Sequence, residues 1–167
     1  MNWRYAHSSA ISVTPHLGAG QRTEMMLNDV RYERGLKALS TIDGEAGRRV
    51  IESLKDIAPD FARYVIEFPF GDIYSRPGLD LKSREIATIA ALAALGNARP
   101  QLEVHLHAAL NVGCTRAEIV EVMMQMAVYA GFPAALNGLF AAREVFAAED
   151  EKSAQSLAEP RALAEAI

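Results

Sequence analysis

A single cysteine, Cys114, stands in the whole chain. That scarcity excludes an internal disulfide, a CxxC redox pair and a zinc site built on several thiolates. Long apolar runs are also missing. The Ala-rich stretch after Arg84 stops at Gly96, well short of a bilayer span, and the start, MNWRYAHSSAISV, lacks the apolar core of a secretory signal. A cytoplasmic protein that does not enter a membrane is therefore expected. Positive charge is not in excess either. A formal net charge of −4 argues against a nucleic-acid or anionic-membrane surface and leaves an anionic small molecule as the partner class still open. Strand-length alternation bounded by hairpin turns is absent, and no internal repeat of fixed period occurs.

What is present reads as helix. A hydrophobic fraction of 50% with 23% charged residues in 167 positions suits one all-α domain with a true core. Residues 1–27 mix Ser, Thr, Gly and Pro with His7 and His16 without periodicity, as a mobile or subunit-wrapping arm would. Residues 28–149 carry the helical domain, and 150–167 form a charged tail expected to fray. Within the domain, Val30 to Leu39 reads as a short helix. Asp43 reads as the cap of a second helix running to Ile57, with Val50, Ile51 and Leu54 inward. A third helix follows Pro59. PFGDIYSRPGLD, with two prolines and two glycines, reads as a structured loop. Leu81 to Leu95 is apolar nearly all round, marking a central helix ended by Gly96. The next helix has Pro100 in its first turn and ends at Gly113. Thr115 and Glu118 form a capping-box pattern opening a helix through about Tyr129. Ala134 to Phe146 is a further Ala-rich helix. The helix after Thr115 has two apolar faces, Ile119, Val122, Met123 and Met126 on one, Val120, Met124 and Val128 on the other, which predicts cover by a second subunit.

The chemistry-bearing stretch is PQLEVHLHAALNVG, from Pro100 to Gly113. On a 3.6-residue period Leu102, His105, Leu106 and Ala109 share one face, while Glu103 and His107 fall on the other. An inward His105 has two readings. It is a satisfied core residue bonded to a nearby carbonyl, or it is a proton-transfer group, since imidazole is the side chain that titrates nearest neutrality. Glu103 and His107, four apart, offer two ligands on an exposed face, too few to predict a metal.

RPGLD at Arg76 to Asp80, TIAALAAL in the central helix, HLHAALNVG from His105, the TRAEI helix start and YAGFPAALN at Tyr129 to Asn137 together resemble the carboxymuconolactone decarboxylase family over about the second half of the chain. The resemblance implies the all-α fold of alkylhydroperoxidase D, with about six to seven helices assembled as trimers or hexamers. It also implies one of two chemistries, cofactor-free decarboxylation or peroxide reduction by a CxxC pair. His105 matches the histidine that follows the second cysteine of the redox branch, but Ala98 and Gln101 occupy the cysteine positions. Without a thiolate to attack peroxide and a second thiol to resolve the product, the redox chemistry is removed rather than weakened.

The decarboxylase branch implies a substrate that supplies its own electron sink. A γ-carboxylated unsaturated lactone loses carbon dioxide as electrons pass through the ring alkene to the lactone carbonyl, and the resulting oxyfuran-like anion is protonated. The protein must grip carboxylates, stabilise the oxyanion, exclude water and deliver a proton. His105 is the expected proton donor or oxyanion partner. Glu85, which matches the glutamate of the redox branch, is expected to form a relay with it. Arg76 and Arg84 are the expected carboxylate-binding residues, by bidentate pairing. No metal or organic cofactor is expected. The decarboxylases carry basic residues at the positions of Glu103 and His107 and a small uncharged residue at that of Glu85, so the substrate is expected to have drifted from the dianionic lactone. The expected function is thus a cofactor-independent lyase acting on a carboxylated lactone or related ring acid of aromatic catabolism. A non-catalytic helical oligomer binding a small molecule or partner, and a peroxide-linked role without CxxC, are the alternatives.

Overall fold

In the computed structural model, residues 19–165 are described, so His7, His16 and most of the expected arm lie outside the described residues. Those residues fold into seven α-helices and one π-helical segment, with no strand among them. In chain order these are α1 (Ala19–Ile42), α2 (Gly44–Ser53), α3 (Pro59–Val65), the π-helical segment (Ile66–Tyr74), α4 (Leu81–Leu95), α5 (Arg99–Asn111), α6 (Arg116–Tyr129) and α7 (Phe132–Glu165). None of the described helices is long and apolar enough to cross a membrane.

The boundaries of the back half follow from local chemistry. Asp80 caps α4 by accepting from the Ser83 amide at 2.7 Å, and Gly96 closes the helix at φ 72°, a conformation that costs a residue with a Cβ. Thr115 and Glu118 form the reciprocal capping box. The Glu118 amide donates to Thr115 Oγ1 at 3.1 Å, and the Thr115 amide donates to Glu118 Oε2 at 2.8 Å. Ile89, Leu106, Ile119, Met123 and Ala141, all fully buried, knit α4, α5, α6 and α7 into the main core.

The front half departs from the sequence reading. The proline- and glycine-rich stretch expected to be a loop is helical as far as Tyr74, with Pro69 inside it. A proline ring collides with the carbonyl four residues back and has no amide to give, so an α-helix breaks there. Widening the ladder to i→i+5 relieves the collision without ending the helix. Close backbone approach holds this segment on α1. A Cβ on the buried Gly35 would overlap the Ile66 carbonyl, and one on Gly71 would sit 2.8 Å from the Arg31 carbonyl oxygen. Arg31 Nε and Arg34 Nε, donating to Asp72 Oδ1 at 3.1 Å and to the Gly71 carbonyl at 2.6 Å, fix the pair. Three further extents differ. α2 stops at Ser53 rather than running to Ile57, the chain turning over 54–57. α1 begins at Ala19, ahead of the expected start, and α7 continues through the charged tail to Glu165.

Candidate functional site

The two halves meet at a cavity of about 500 Å³ between α1, α2, α3, the π-helical segment, α4 and α5. Leu39, Val50, Ile51, Leu54, Phe61 and Val65 form much of its wall, and its polar lining comes from Asp43, Tyr74, Thr88, Gln101 and His105. Val50, Ile51 and Leu54 are the inward face expected for α2. They line this space, and Ile51 also packs against the buried cluster of Leu39, Ile42, Phe70 and Ala108.

His105 reaches the cavity from the middle of α5. The flanking Leu102, Leu106 and Ala109 are buried, which fixes the rotation of the helix and hence the direction of the ring. Its Nδ1 lies 3.0 Å from Oε2 of Glu85, one turn into α4. Glu85 is wholly buried, and its Oε1 has no hydrogen-bond partner among the described residues. A carboxylate accepts only, so the ring proton on this side belongs to Nδ1 and Nε2 is the nitrogen left for a ligand. Burial opposes charge on the ring. The hydrogen bond to Glu85 and the negative charges of Glu85 and Asp43 outweigh it and hold His105 above the ordinary imidazole range.

Asp43 is the member of the site that sequence reasoning missed. Its position immediately before α2 marked it as a helix cap, but the side chain makes no cap bond. It is 5% exposed, lines the cavity, and leaves Oδ1 without a hydrogen-bond partner. Burial pushes its carboxyl up to about 6, with the His105 charge pulling the other way and Glu85 adding to the rise. Asp43, Glu85 and His105 each offer one atom within 4.8 Å of the others, brought together from three elements. Two carboxylate oxygens and an imidazole nitrogen form a donor set that a divalent cation could use, and equally a relay in which protons move among three neighbouring groups.

A second polar pair lies beside the relay. Thr88 Oγ1 donates to the Arg84 carbonyl at 2.9 Å, which spends its only proton, so the 2.6 Å contact with Tyr74 is a bond donated by the Tyr74 hydroxyl. Burial and the neighbouring Glu85 charge keep that phenol well above its ordinary range, so it remains a neutral donor.

The remaining candidates are spread out. Arg76 is exposed and Arg84 half-buried, and neither lines the cavity. Arg84 donates from Nη2 to the Arg76 carbonyl at 3.0 Å and lies 5.9 Å from the centre of the Tyr74 ring. Glu103 and His107 do not act together. Glu103 pairs with Arg99 at 2.8 Å, and His107 Nδ1 lies 2.9 Å from Glu149 on α7. His107 is thus turned from the cavity but is held by the helical tail rather than free in solvent. Gln101, at a cysteine position of the redox branch, lines the cavity one turn before His105. Cys114 is buried outside it, its thiol pushed up chiefly by that burial.

Residues 59–144 match the profile of the carboxymuconolactone decarboxylase family. A 4-carboxymuconolactone decarboxylase from Acinetobacter baylyi is 38% identical over 122 residues, spanning 72% of this chain and 90% of that protein. The chain belongs to the carboxymuconolactone decarboxylase family. An uncharacterized 15.0 kDa protein from Paracoccus denitrificans is 36% identical over 103 residues, 61% of this chain and 77% of its own length. A nitrosuccinic acid decarboxylase from Metarhizium robertsii is 29% identical over 112 residues, 65% of this chain and 76% of its own length. Membership agrees with the all-helical, alkylhydroperoxidase-like architecture, and the named relatives place the chain among decarboxylase-like proteins. The matched block contains Glu85 and His105 but starts after Asp43.

Proposed function

We propose that this protein is a cofactor-independent carboxy-lyase acting on a carboxylated lactone or related ring acid. The observation that carries the reading is the Glu85–His105 pair set in the wall of an apolar cavity, with Asp43 beside it. In such a substrate the bond between the ring carbon and the carboxylate breaks, carbon dioxide leaves, and the electron pair passes through the conjugated alkene to the lactone oxygen. An imidazolium at His105, stabilised by Glu85, offers its Nε2 proton to the carbanion, and the neutral ring regains a proton from solvent. One proton enters and one carbon dioxide leaves. The apolar wall favours loss of a charged carboxylate as a neutral gas, because the starting anion is poorly solvated there. Tyr74 is available to donate to the developing oxyanion by releasing Thr88.

Two features of the chain support this reading over thiol chemistry. The cysteine positions of the redox branch hold Ala98 and Gln101, and Cys114 is buried away from His105 with a thiol that resists ionisation. The test is turnover of unsaturated γ-carboxylactones by the purified protein without added metal, nucleotide or thiol, following lactone absorbance and released carbon dioxide together. Stoichiometric release that is lost in His105→Gln supports the proposal. A panel of such acids left intact by folded protein would refute it.

A further inference from the structure

The cavity carries information about its ligand beyond the reaction. We propose that it takes a monocarboxylate with a largely apolar body, a ring acid bearing a hydrocarbon arm, and disfavours dicarboxylates. The inference rests on the lyase reading for the placement of the carboxylate near His105. It rests on the cavity itself for the rest.

Charge is the first ground. Among the described residues the cavity lining contains no lysine or arginine, and the one group able to carry positive charge is His105. Asp43 lines the same space, and Glu85 lies behind the ring. One substrate carboxylate can face the imidazolium. A second would lie against a mostly apolar wall without a counter-ion, near two acidic side chains, and would lose part of its hydration for no return. Arg76 and Arg84 do not supply that missing charge, since neither lines the wall.

The distribution of polarity is the second ground. Asp43 lies within 4.8 Å of Glu85 and His105, Gln101 sits one helical turn from His105, and Tyr74 and Thr88 are bonded to each other beside Glu85. The rest of the wall is aliphatic and aromatic, from Val50 and Ile51 on α2 and Leu54 just beyond it to Phe61 and Val65 on α3. A ligand that satisfies both ends is polar at one end only.

Volume is the third ground. About 500 Å³ lies within the range that encloses ligands of drug size, more than a compact lactone with short acidic arms fills. Filling it with hydrocarbon is favourable, each buried methylene tightening binding by about fourfold.

The experiment compares ligands by calorimetry, using saturated lactone acids that cannot decarboxylate. One series carries a single γ-carboxylate and an alkyl arm of two to six carbons, and the reference carries a second carboxylate on that arm. The alkyl acids are expected to bind at least tenfold more tightly than the dicarboxylate, with affinity rising about two- to fourfold per methylene until the cavity is full. Val50→Arg, at a half-open position on the wall, adds the missing cation and is expected to narrow or reverse the preference. A dicarboxylate that binds as tightly as the alkyl acids, affinity that ignores arm length, or no binding of either series overturns the proposal. The corresponding unsaturated acids separate the two readings. Binding in the expected order without release of carbon dioxide supports the ligand class and removes the lyase assignment.

Discussion

Glu85 and His105, twenty residues apart on adjacent helices, hold their carboxylate and imidazole 3.0 Å apart, with the acid fully buried and the ring at the cavity wall. The acid therefore sits behind the ring rather than competing for the ligand. Replacing it with Glu85→Gln removes the two influences that raise the pKa of His105 most and leaves burial, which lowers it, opposed only by the charge of Asp43. If protonated His105 is the active form, activity is lost as pH rises through its folded-state pKa. In the parent that alkaline limb is expected above the ordinary imidazole value, and in Glu85→Gln it should move down by about one unit or more. A pH–rate profile of both proteins, with an NMR titration of the ring, measures it.

The two histidines of α5 are expected to differ sharply. His105→Gln should cost about 10²- to 10⁴-fold in turnover, the usual contribution of a positioned acid or base. His107→Gln removes only a partly exposed contact with Glu149 and should change turnover less than about threefold. Circular dichroism and sedimentation on both variants separate lost chemistry from lost structure. Equal turnover in the two would dismiss the assignment of His105.

Asp43 makes stability depend on pH. Its folded carboxyl titrates near 6, above the unfolded value, so the protonated form contributes stability that is complete below about pH 4 and lost as pH rises through 6. The difference is at most about 3 kcal/mol. The raised pKa of His105 acts in the same direction, since its charged form is favoured in the fold and that contribution also fades as pH rises. Asp43→Asn removes the burial of a charge at high pH. Its Tm should exceed that of the parent at pH 8, with a smaller difference at pH 5, in thermal melts across that range. A parallel pair of Tm curves would contradict the assignment.

Removing metal should change nothing. Because Asp43, Glu85 and His105 offer a donor set, dialysis against a strong chelator is a demanding control. The cofactor-independent proposal expects turnover unchanged after chelation and no stoichiometric metal by elemental analysis. Activity that disappears and returns with one divalent cation would replace the proton relay with a metal centre.

Assembly is the remaining expectation. Met124, Val128 and Tyr129 on α6, with Phe132, Leu136 and Phe140 on α7, are all exposed. Sedimentation equilibrium is expected to give a trimer or hexamer at micromolar concentration, weakened by Val128→Glu. A monodisperse, folded monomer would exclude it.

The features legible in the sequence are those set by neighbours along the chain. Gly96, the Thr115–Glu118 box and the inward rotation of His105 depend on residues a few positions away, and each is where its pattern placed it. Asp43 was not legible as a site residue, because its position before α2 is that of a cap while its burial comes from packing against α4 and α5, distant in sequence. The π-helical segment was hidden for a related reason. Pro69 and Gly71 punctuate a loop in local terms, and only the close backbone of α1 at Gly35 shows why a helix persists there. His107 illustrates the same limit, since its partner Glu149 belongs to a tail whose composition suggested fraying.

The division of the site between two parts of the chain bears on how such proteins diverge. Glu85 and His105 lie inside the segment that matches the family profile, whereas Asp43, Leu39, Val50 and Ile51 precede that segment. Substitutions on the α1 and α2 side would reshape the cavity wall without touching the Glu85–His105 contact. A new clientele can arise by substitutions that never touch the reacting groups.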